Sequence, residues 1–304
     1  MSTPRYTGRF APSPTGPLHF GSLVTALASW CDAHHHGGSW LVRIEDTDLP
    51  RNVASAYRDI LSALAAYGLH ADTPILRQSE RLDRYHHIIE RLAAHGMVYG
   101  CACSRKQLTG LANPSNAYPN TCRDLGLPLI GNAVRLRVPD LDIQFDDALQ
   151  GYISENLSQT TGDIVLRRRD GIISYQLAVV VDDIEQGINH IVRGADLLDN
   201  TARQIWLRHC LRALPRETFS HDIIEPHYTH IPLAMNSQGQ KLSKQNLAAA
   251  LDQHDPLTML KSAFAALGQE QIDTDSIETF LHHAAQVWDV SRIARQSELG
   301  GVYR

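Results

Sequence analysis

The sequence contains no run of about 18 apolar residues, the length a helix needs to cross a bilayer, so no membrane span is expected. No basic segment followed by an apolar core opens it, and no secretory signal is expected. Cysteine is scarce. Five thiols, an odd number with two packed as Cys101-Ala102-Cys103, do not suggest a disulfide framework and fit a reducing cytoplasm best. Positive charge is also in short supply. The net charge of −5, with His neutral, argues against a nonspecific coat on nucleic acid. A local basic face is still open to it, because Arg135, Arg137, Arg167, Arg168, Arg169, Arg203, Arg208 and Arg212 gather in the middle third. Any one of them would serve equally in a solvated face of mixed charge. The rest is ordinary for a globular protein: 43% hydrophobic and 20% charged over 304 residues, enough for a large core with one or two attachments.

One stretch organises the chain. From Arg5, apolar residues and Arg9 lead into Ala11-Pro12-Ser13-Pro14-Thr15-Gly16, then His19-Phe20-Gly21-Ser22, then a helical spacing at Leu23, Ala26, Leu27 and Trp30. This reads as strand, rigid turn and helix. Two prolines fix φ, and Gly16 and Gly21 permit close backbone approach. A helix that opens just after such a turn presents free N–H groups to an anion, and His19 and Ser22 add side-chain donors there. The stretch suits a phosphate. Far downstream, Lys241-Leu242-Ser243-Lys244-Gln245 follows the loop 236–240 and reads as a mobile cationic arm. Alone it would be a solvated surface loop.

Gly37-Gly38-Ser39 breaks the first helix, and Trp40 to Ile44 reads as a short buried strand, which completes a right-handed βαβ unit. His34, His35 and His36 point in different directions, so a polar helix end is expected there rather than a metal site. Glu45, Asp46 and Asp48 follow the strand at the sheet edge, where carboxylates can meet a ligand; Asp48 could equally cap the next segment. Tyr57–Tyr67 and Tyr85–Met97 carry helical apolar spacing. Composition then shifts. Cys101, Cys103 and Cys122 read as a metal knuckle, with zinc the default for thiolates in a reducing compartment. The fourth ligand is not obvious: Tyr118 as a metal-acidified phenolate, or His95 on the preceding helix. Free buried thiols are the alternative. Short alternating strands at 133–138, 143–145, 151–153, 164–166 and 172–175 suggest a compact α+β insertion. Gln176–Val181 is expected to return to the main sheet. His190–Gly194 reads as a strand that sets Arg193 at the sheet edge, either for a ligand or in an ion pair. Thr201–Leu214 reads as helix and Tyr228–Met235 as strand, and from Pro256 on the pattern is helical, with Trp288 a late apolar anchor.

In this order, the phosphate turn and the lysine pair resemble the paired ATP signatures of class I aminoacyl-tRNA synthetases. Arg9-Phe-Ala-Pro-Ser-Pro-Thr-Gly16, Arg43-Ile-Glu-Asp-Thr-Asp48, Val181-Asp-Asp183 and His190-Ile-Val-Arg-Gly194 narrow the resemblance to glutamyl-tRNA synthetases, over about Arg5 to Asn246. The resemblance implies an α/β fold: a Rossmann-type nucleotide-binding domain in two halves, 1–98 and 176–225. Between them would lie a zinc-containing acceptor-binding insertion, 99–175, and after them a lysine-loop and short helical domain, 226–304. It implies glutamate binding by Arg9, Phe10, Ala11, Pro12, Ser13, Glu45, Tyr175 and Arg193, with Glu45 on the α-ammonium. Two guanidinium groups, Arg9 and Arg193, would suit a side-chain carboxylate and so favour glutamate over glutamine. ATP, with Mg²⁺, would lie on Pro12, Thr15, Gly16, His19, Gly21, Ser22 and Lys244. His19, Lys241 and Lys244 would be catalytic. Cys101, Cys103, Tyr118 and Cys122 resemble a short zinc insert, structural because four ligands leave no open position.

Two departures matter. Ser22 stands where many class I enzymes have a second histidine, and Gln245 replaces the usual serine. Only about 60 residues follow Lys244, where glutamyl-tRNA synthetases continue into an anticodon-reading domain. Together with the short zinc insert, this most resembles the glutamyl-Q tRNA(Asp) synthetase family. That family activates L-glutamate without tRNA and places it on the queuosine base at the wobble position of tRNA(Asp). A cytoplasmic monomer is expected, with ATP, glutamate and queuosine-bearing tRNA(Asp) as partners. Competing readings are a truncated synthetase charging a tRNA 3′ end, an adenylate-forming enzyme for a small amine, and a non-catalytic tRNA-binding paralogue. The last should have lost His19 or the lysines, and both are present.

Overall fold

The computed structural model describes residues 5–109, 117–234, 250–252, 254–295 and 298–299. Lys241 and Lys244 lie outside the described residues. The chain opens as β1 (Thr7–Phe10), α1 (Phe20–His35) and β2 (Ser39–Ile44). β1 and β2 pair in parallel, Thr7 with Ser39 through Phe10 with Val42, so the βαβ unit is present. Helix α1 stops where Gly37 adopts φ +60°, and a Cβ on Gly38 would lie 2.5 Å from the Tyr6 carbonyl oxygen. The close glycine lets the chain turn back beside β1. The histidines at the helix end cap it: His36 Nδ1 lies 2.8 Å from the Asp32 carbonyl.

Strand period does the next work. In β2, Trp40, Val42 and Ile44 enter one hydrophobic core with α1, while Leu41 enters a second core on the opposite face. Arg43 shares that second face and is fully buried. Both faces of this strand are therefore covered, as in a central parallel strand.

The chain continues through α2 (Ala56–Ala66), β3 (Leu76–Arg77), α3 (Leu82–Ala94), β4 (Val98–Cys101), α4 (Arg105–Thr109) and β5 (Ala133–Leu136). Then come β6 (Asp142–Asp147), β7 (Gly151–Asn156), α5 (Leu157–Thr160), β8 (Ile164–Arg167), α6 (Tyr175–Glu185), β9 (His190–Gly194) and α7 (Thr201–Arg212). After them lie β10 (His227–Ile231), β11 (Leu233–Ala234), α8 (Pro256–Ala266), α9 (Ile277–Val287) and β12 (Glu298–Leu299). β3 pairs in parallel with β2, and β10 with both β9 and β6. β9 lies beside β1, where Asn189 both accepts from Thr7 N at 2.7 Å and donates its own N–H to Thr7 O at 3.1 Å. The sheet β3-β2-β1 and the sheet β9-β10-β6-β7 therefore adjoin at β1 and β9, with β7 antiparallel to β6. The chain runs outward from β1 to β2 on one side and returns to β9 on the other. Such a reversal opens a crevice at the carboxyl ends of β1 and β9.

Three expectations are corrected. Gln176–Val181 is not a strand but the heart of α6, and Tyr175 begins that helix instead of ending a strand. All of Gln176 to Ile184 is buried, so the apolar run has no polar face to reveal a helical period. The strands after 133 do not form one insertion. β4, β5 and β8 make an antiparallel sheet of their own, while the β6–β7 hairpin leaves it to extend the main sheet beside β10. Ile143 and Phe145 of β6 face the second core, where Phe145 meets Tyr228 edge to face. Asp48 precedes a single 3₁₀ turn but makes no side-chain cap; its carboxylate lies 3.4 Å from Arg168 Nη1.

The outer side of α1 is covered by α8 and α9. Asp32, on α1, accepts hydrogen bonds from Tyr6 Oη and from Trp288 Nε1, the latter at 3.0 Å, which ties the late anchor to the first βαβ unit. No helix among the described residues is long and apolar enough to cross a membrane.

Candidate active site

A cavity of about 590 Å³ occupies the crevice at the ends of β1 and β9. Arg9 and Phe10 enter it from β1, and Ala11, Pro12, Ser13 and Thr15 from the turn that follows. His19, Gly21 and Ser22 come from the start of α1, Glu45 from the end of β2, Tyr175 from the first residue of α6 and Arg193 from β9. Residues as far apart in sequence as Arg9 and Leu233 thus converge. Gly16 belongs to the turn, with φ +150°, but is not among the lining residues. The turn is held in place by its carbonyls: Pro12 O accepts from Glu45 N at 3.1 Å and Pro14 O from Val53 N at 2.9 Å.

His19 differs from expectation in one respect. It is the N-cap of α1, and its Nδ1 accepts the Ser22 N–H at 3.2 Å. The neutral imidazole therefore carries its proton on Nε2. The Ser22 amide is spent on this cap and is not one of the donors a phosphate would meet.

Beneath the cavity lies a buried charge network. Asp183 of α6 sits between Arg43 Nη2 at 2.8 Å and Arg9 Nε at 3.2 Å. Burial alone would raise its carboxyl, but Arg9, Arg43 and Arg208 outweigh that and hold it at about 2. Neighbouring Asp182 accepts from Gln78, Arg81 and Tyr85 at 2.7–2.9 Å. Glu45 is served less well. Among the described residues its nearest cation is Arg43 Nη2 at 3.4 Å, and its side chain is only 8% exposed. Burial pushes its carboxyl up to about 7, with Arg43 and Arg9 pulling down and Asp183 adding repulsion. Such a carboxyl gains from a cation brought by a ligand.

Arg193 is held differently. Its Nε donates to His230 Nε2 at 2.9 Å, Nη1 to Gln204 at 2.7 Å and Nη2 to Thr201 Oγ1 at 2.8 Å, with Tyr175 Oη 3.5 Å from Nη1. Among the described residues no acidic side chain pairs with it; these partners are all neutral. Sequence reasoning missed His230, Gln204 and Thr201. Nothing local marks them: the pairing of β9 with β10 brings His230 to Arg193, and the turn of the chain from β9 into α7 brings Thr201 and Gln204.

A second cavity, of about 840 Å³, shares Ser13, Thr15, Glu45, Arg51 and Tyr175 with the first and reaches Cys103 and Arg135. Arg168, Arg169 and Asp170 line it from the turn after β8. Arg51 bridges both cavities and was also missed; its place in a short Leu-Pro-Arg turn gave no chemical signal.

At the base of the β4-β5-β8 sheet, the sulfurs of Cys101, Cys103 and Cys122 lie within 4.8 Å of one another. Cys103 and Cys122 are 3.5 Å apart, and Tyr118 Oη lies 3.3 Å from Cys101 and 3.7 Å from Cys103. A tetrahedral ion with bonds of about 2.3 Å would separate its ligands by about 3.8 Å, so the four atoms fit such a shell. Arg135 stacks over the Tyr118 ring at 3.7 Å, and the Cys122 amide donates to Tyr118 Oη at 3.0 Å; burial pushes the phenol well above its ordinary value, and the Cys122 amide pulls the other way. His95 stands apart, with Nδ1 on the Arg91 carbonyl at 2.9 Å.

With this geometry in view, comparison with known proteins is specific. The catalytic-domain model for class I tRNA synthetases (E and Q) matches residues 6–268. The chain is 53% identical to glutamyl-Q tRNA(Asp) synthetase of Acinetobacter baylyi, over 98% of this chain and 97% of that one. It is 49% identical to the glutamyl-Q tRNA(Asp) synthetase of Xanthomonas axonopodis, over 98% and 96% of the two chains. Among solved structures, a glutamate tRNA ligase from Elizabethkingia meningosepticum, in complex with its amino acid, superposes with TM-score 0.78 at 25% identity. That match covers 96% of this chain but only 66% of the ligase, so the chain spans about two thirds of the ligase's length.

Proposed function

The chain belongs to the class I aminoacyl-tRNA synthetases and within them to the glutamyl-Q tRNA(Asp) synthetase family, and from that premise we propose that it activates L-glutamate with ATP, without tRNA, and transfers it to the queuosine base at the wobble position of tRNA(Asp). It is a ligase-type enzyme. The observation that carries the substrate is the single cavity flanked by Arg9 and Arg193 with Glu45 between the same walls. Two cations and one under-satisfied carboxyl match a dicarboxylic amino acid: Arg193 and Arg9 for the side-chain carboxylate, Glu45 for the α-ammonium. Tyr175 and the backbone from Phe10 to Ser13 close the remaining sides.

ATP lies against the turn from Pro12 to Ser22, with Thr15, Gly16, His19 and Gly21 around its phosphates, and Mg²⁺ enters with it as part of the substrate. The glutamate α-carboxylate attacks the α-phosphorus in line with departing pyrophosphate, which leaves glutamyl-adenylate. Positioning and charge neutralisation supply most of the catalysis in such a step. His19 donates from Nε2, and Lys241 and Lys244 stabilise the pyrophosphate as it leaves. A transition-state donor of this kind contributes on the order of 10²–10³ in rate. In the second step a queuosine hydroxyl attacks the acyl carbon and AMP departs. The larger adjoining cavity, which shares five residues with the first, is the entrance for that acceptor, and Arg168 and Arg169 at its wall suit an anticodon-loop phosphate. Cys101, Cys103, Cys122 and Tyr118 would hold one zinc ion, which supplies a structural staple for the loop between β4 and β5. The helices α8 and α9 would form a short helical unit packed on α1.

The reading is tested by incubating the protein with ATP, labelled glutamate and tRNA(Asp) with or without queuosine, then digesting the tRNA to nucleosides. Label should appear only with the queuosine-bearing tRNA and should travel with the anticodon nucleoside. Label on the 3′-terminal adenosine would contradict it. Glutamate binding should depend on pH in a definite direction. Burial leaves Glu45 neutral below about 7 in the empty site, and only its charged form pairs with the ammonium. Affinity should rise about tenfold per pH unit from pH 5 to 7 and level off above about 8, as seen by calorimetry; Glu45→Gln should bind weakly with no slope. A flat profile in the unmutated protein would remove Glu45 from this role. Metal analysis should return one zinc per chain, and Cys122→Ser should lose most of it. Unchanged zinc in that variant would exclude the cluster.

A further inference from the structure

Asp147, His230 and Arg193 lie on three adjacent strands, β6, β10 and β9, and are joined in series by hydrogen bonds. His230 and Arg193 are register partners in the parallel β9–β10 pair, and both are buried, at 0% and 3% exposure. Arg193 Nε is always a donor, so His230 Nε2, 2.9 Å away, must be an unprotonated acceptor. The other ring nitrogen, Nδ1, then carries the proton and donates it to Asp147 Oδ2 at 2.6 Å. Asp147 is itself fixed by four backbone contacts: His230 N at 3.1 Å to Oδ2 and 3.3 Å to Oδ1, Leu149 N at 3.0 Å and Gln150 N at 2.9 Å. The carboxylate thus selects the tautomer, and the tautomer gives the arginine its acceptor.

We infer that His230, oriented by Asp147, is the positioning residue that aims Arg193 at the substrate carboxylate while leaving the guanidinium charge unspent. This rests on the glutamate-binding role proposed for Arg193. The contrast with Arg9 explains the choice of side chain. Arg9 is held by a carboxylate, Asp183, at 3.2 Å, which fixes the cation but also cancels much of its charge. A carboxylate placed against Arg193 would do the same and would compete with the substrate. A neutral imidazole accepts the Nε–H without cancelling charge, and it relays the anchoring to Asp147 one strand further away. Gln204 and Thr201, also neutral, complete the cradle. Of five guanidinium hydrogens, these three partners take three. One N–H on each Nη remains, the Nη1 one within 3.5 Å of Tyr175 Oη, beside the cavity Arg193 lines.

The test uses the full chain in ATP–pyrophosphate exchange, with the KM for glutamate, the KM for ATP, kcat and the melting temperature measured together. His230→Asn keeps a donor near Asp147 but is too short for Arg193; His230→Gln is long enough to offer Arg193 an amide oxygen. His230→Asn should raise the glutamate KM about tenfold, with kcat and the ATP KM within about threefold, and His230→Gln should recover most of the difference. A folded His230→Asn protein with an unchanged glutamate KM would overturn the inference. So would both KM values and kcat changing together, or loss of folding in both variants, which would assign His230 to the scaffold alone. Arg193→Ala in parallel separates the two levels. If it leaves the glutamate KM unchanged, the glutamate-site reading fails and takes this inference with it. If it raises KM while His230→Asn does not, only the positioning role fails.

Discussion

Asp183 between Arg9 and Arg43 is the contact on which the rest of the molecule depends. Arg43 projects from β2 into the second hydrophobic core, where no water can reach it. Its charge is tolerable there because Asp183 lies at 2.8 Å, Asp182 at 4.0 Å, and Gln186 accepts from Nη1 at 2.8 Å. The same Asp183 fixes Arg9 of β1. One carboxylate therefore locks two parallel strands to the helix that covers them. Removing one partner of a buried pair like this costs about 3–5 kcal/mol, because the other charge is left bare. Asp182, one residue earlier, ties the same helix to Arg81 and Tyr85 at the start of α3. The floor of the cavity is thus rigid before any ligand arrives.

That rigidity lets the walls remain unbalanced. Among the described residues Arg193 has neutral partners alone, and Glu45 is buried with its nearest cation 3.4 Å away. Each is a group the fold leaves short of an opposite charge, and the two shortages are of opposite sign. A free amino acid with a second carboxylate carries the complement of both. Glutamine would satisfy Glu45 but leave Arg193 facing a neutral amide, so the proposed preference for glutamate follows from the charge left over on one wall. The phosphate turn is separately constrained: two prolines stiffen it, its carbonyls are tied to the segments after β2, and His19 caps α1 with the nitrogen that does not carry its proton.

What could be read from the sequence was what is local. The turn from Pro12 to Ser22 announces itself because proline, glycine and a helix start are adjacent, and the first βαβ unit follows from the short apolar run of β2, bounded by glycine and acidic residues. The cysteine spacing and Tyr118 sit within 22 residues, and the four atoms do meet. Helix α6 was misread because it is buried on every side, so its period leaves no trace in polarity. The β6–β7 hairpin showed its alternation but not its neighbour: Asp147 meets Tyr228 across 81 positions. His230 was illegible for the same reason. A histidine in a strand carries no sign of its partners until the strand order is known, and here that order places an aspartate on one side and an arginine on the other.

The most direct measurement is ATP–pyrophosphate exchange in the complete absence of tRNA, with glutamate or glutamine as the amino acid. A site that carries its own opposed charges, and needs no RNA to assemble, should support exchange with glutamate and very little with glutamine. Exchange that begins only after tRNA is added, or that proceeds equally with glutamine, would contradict it.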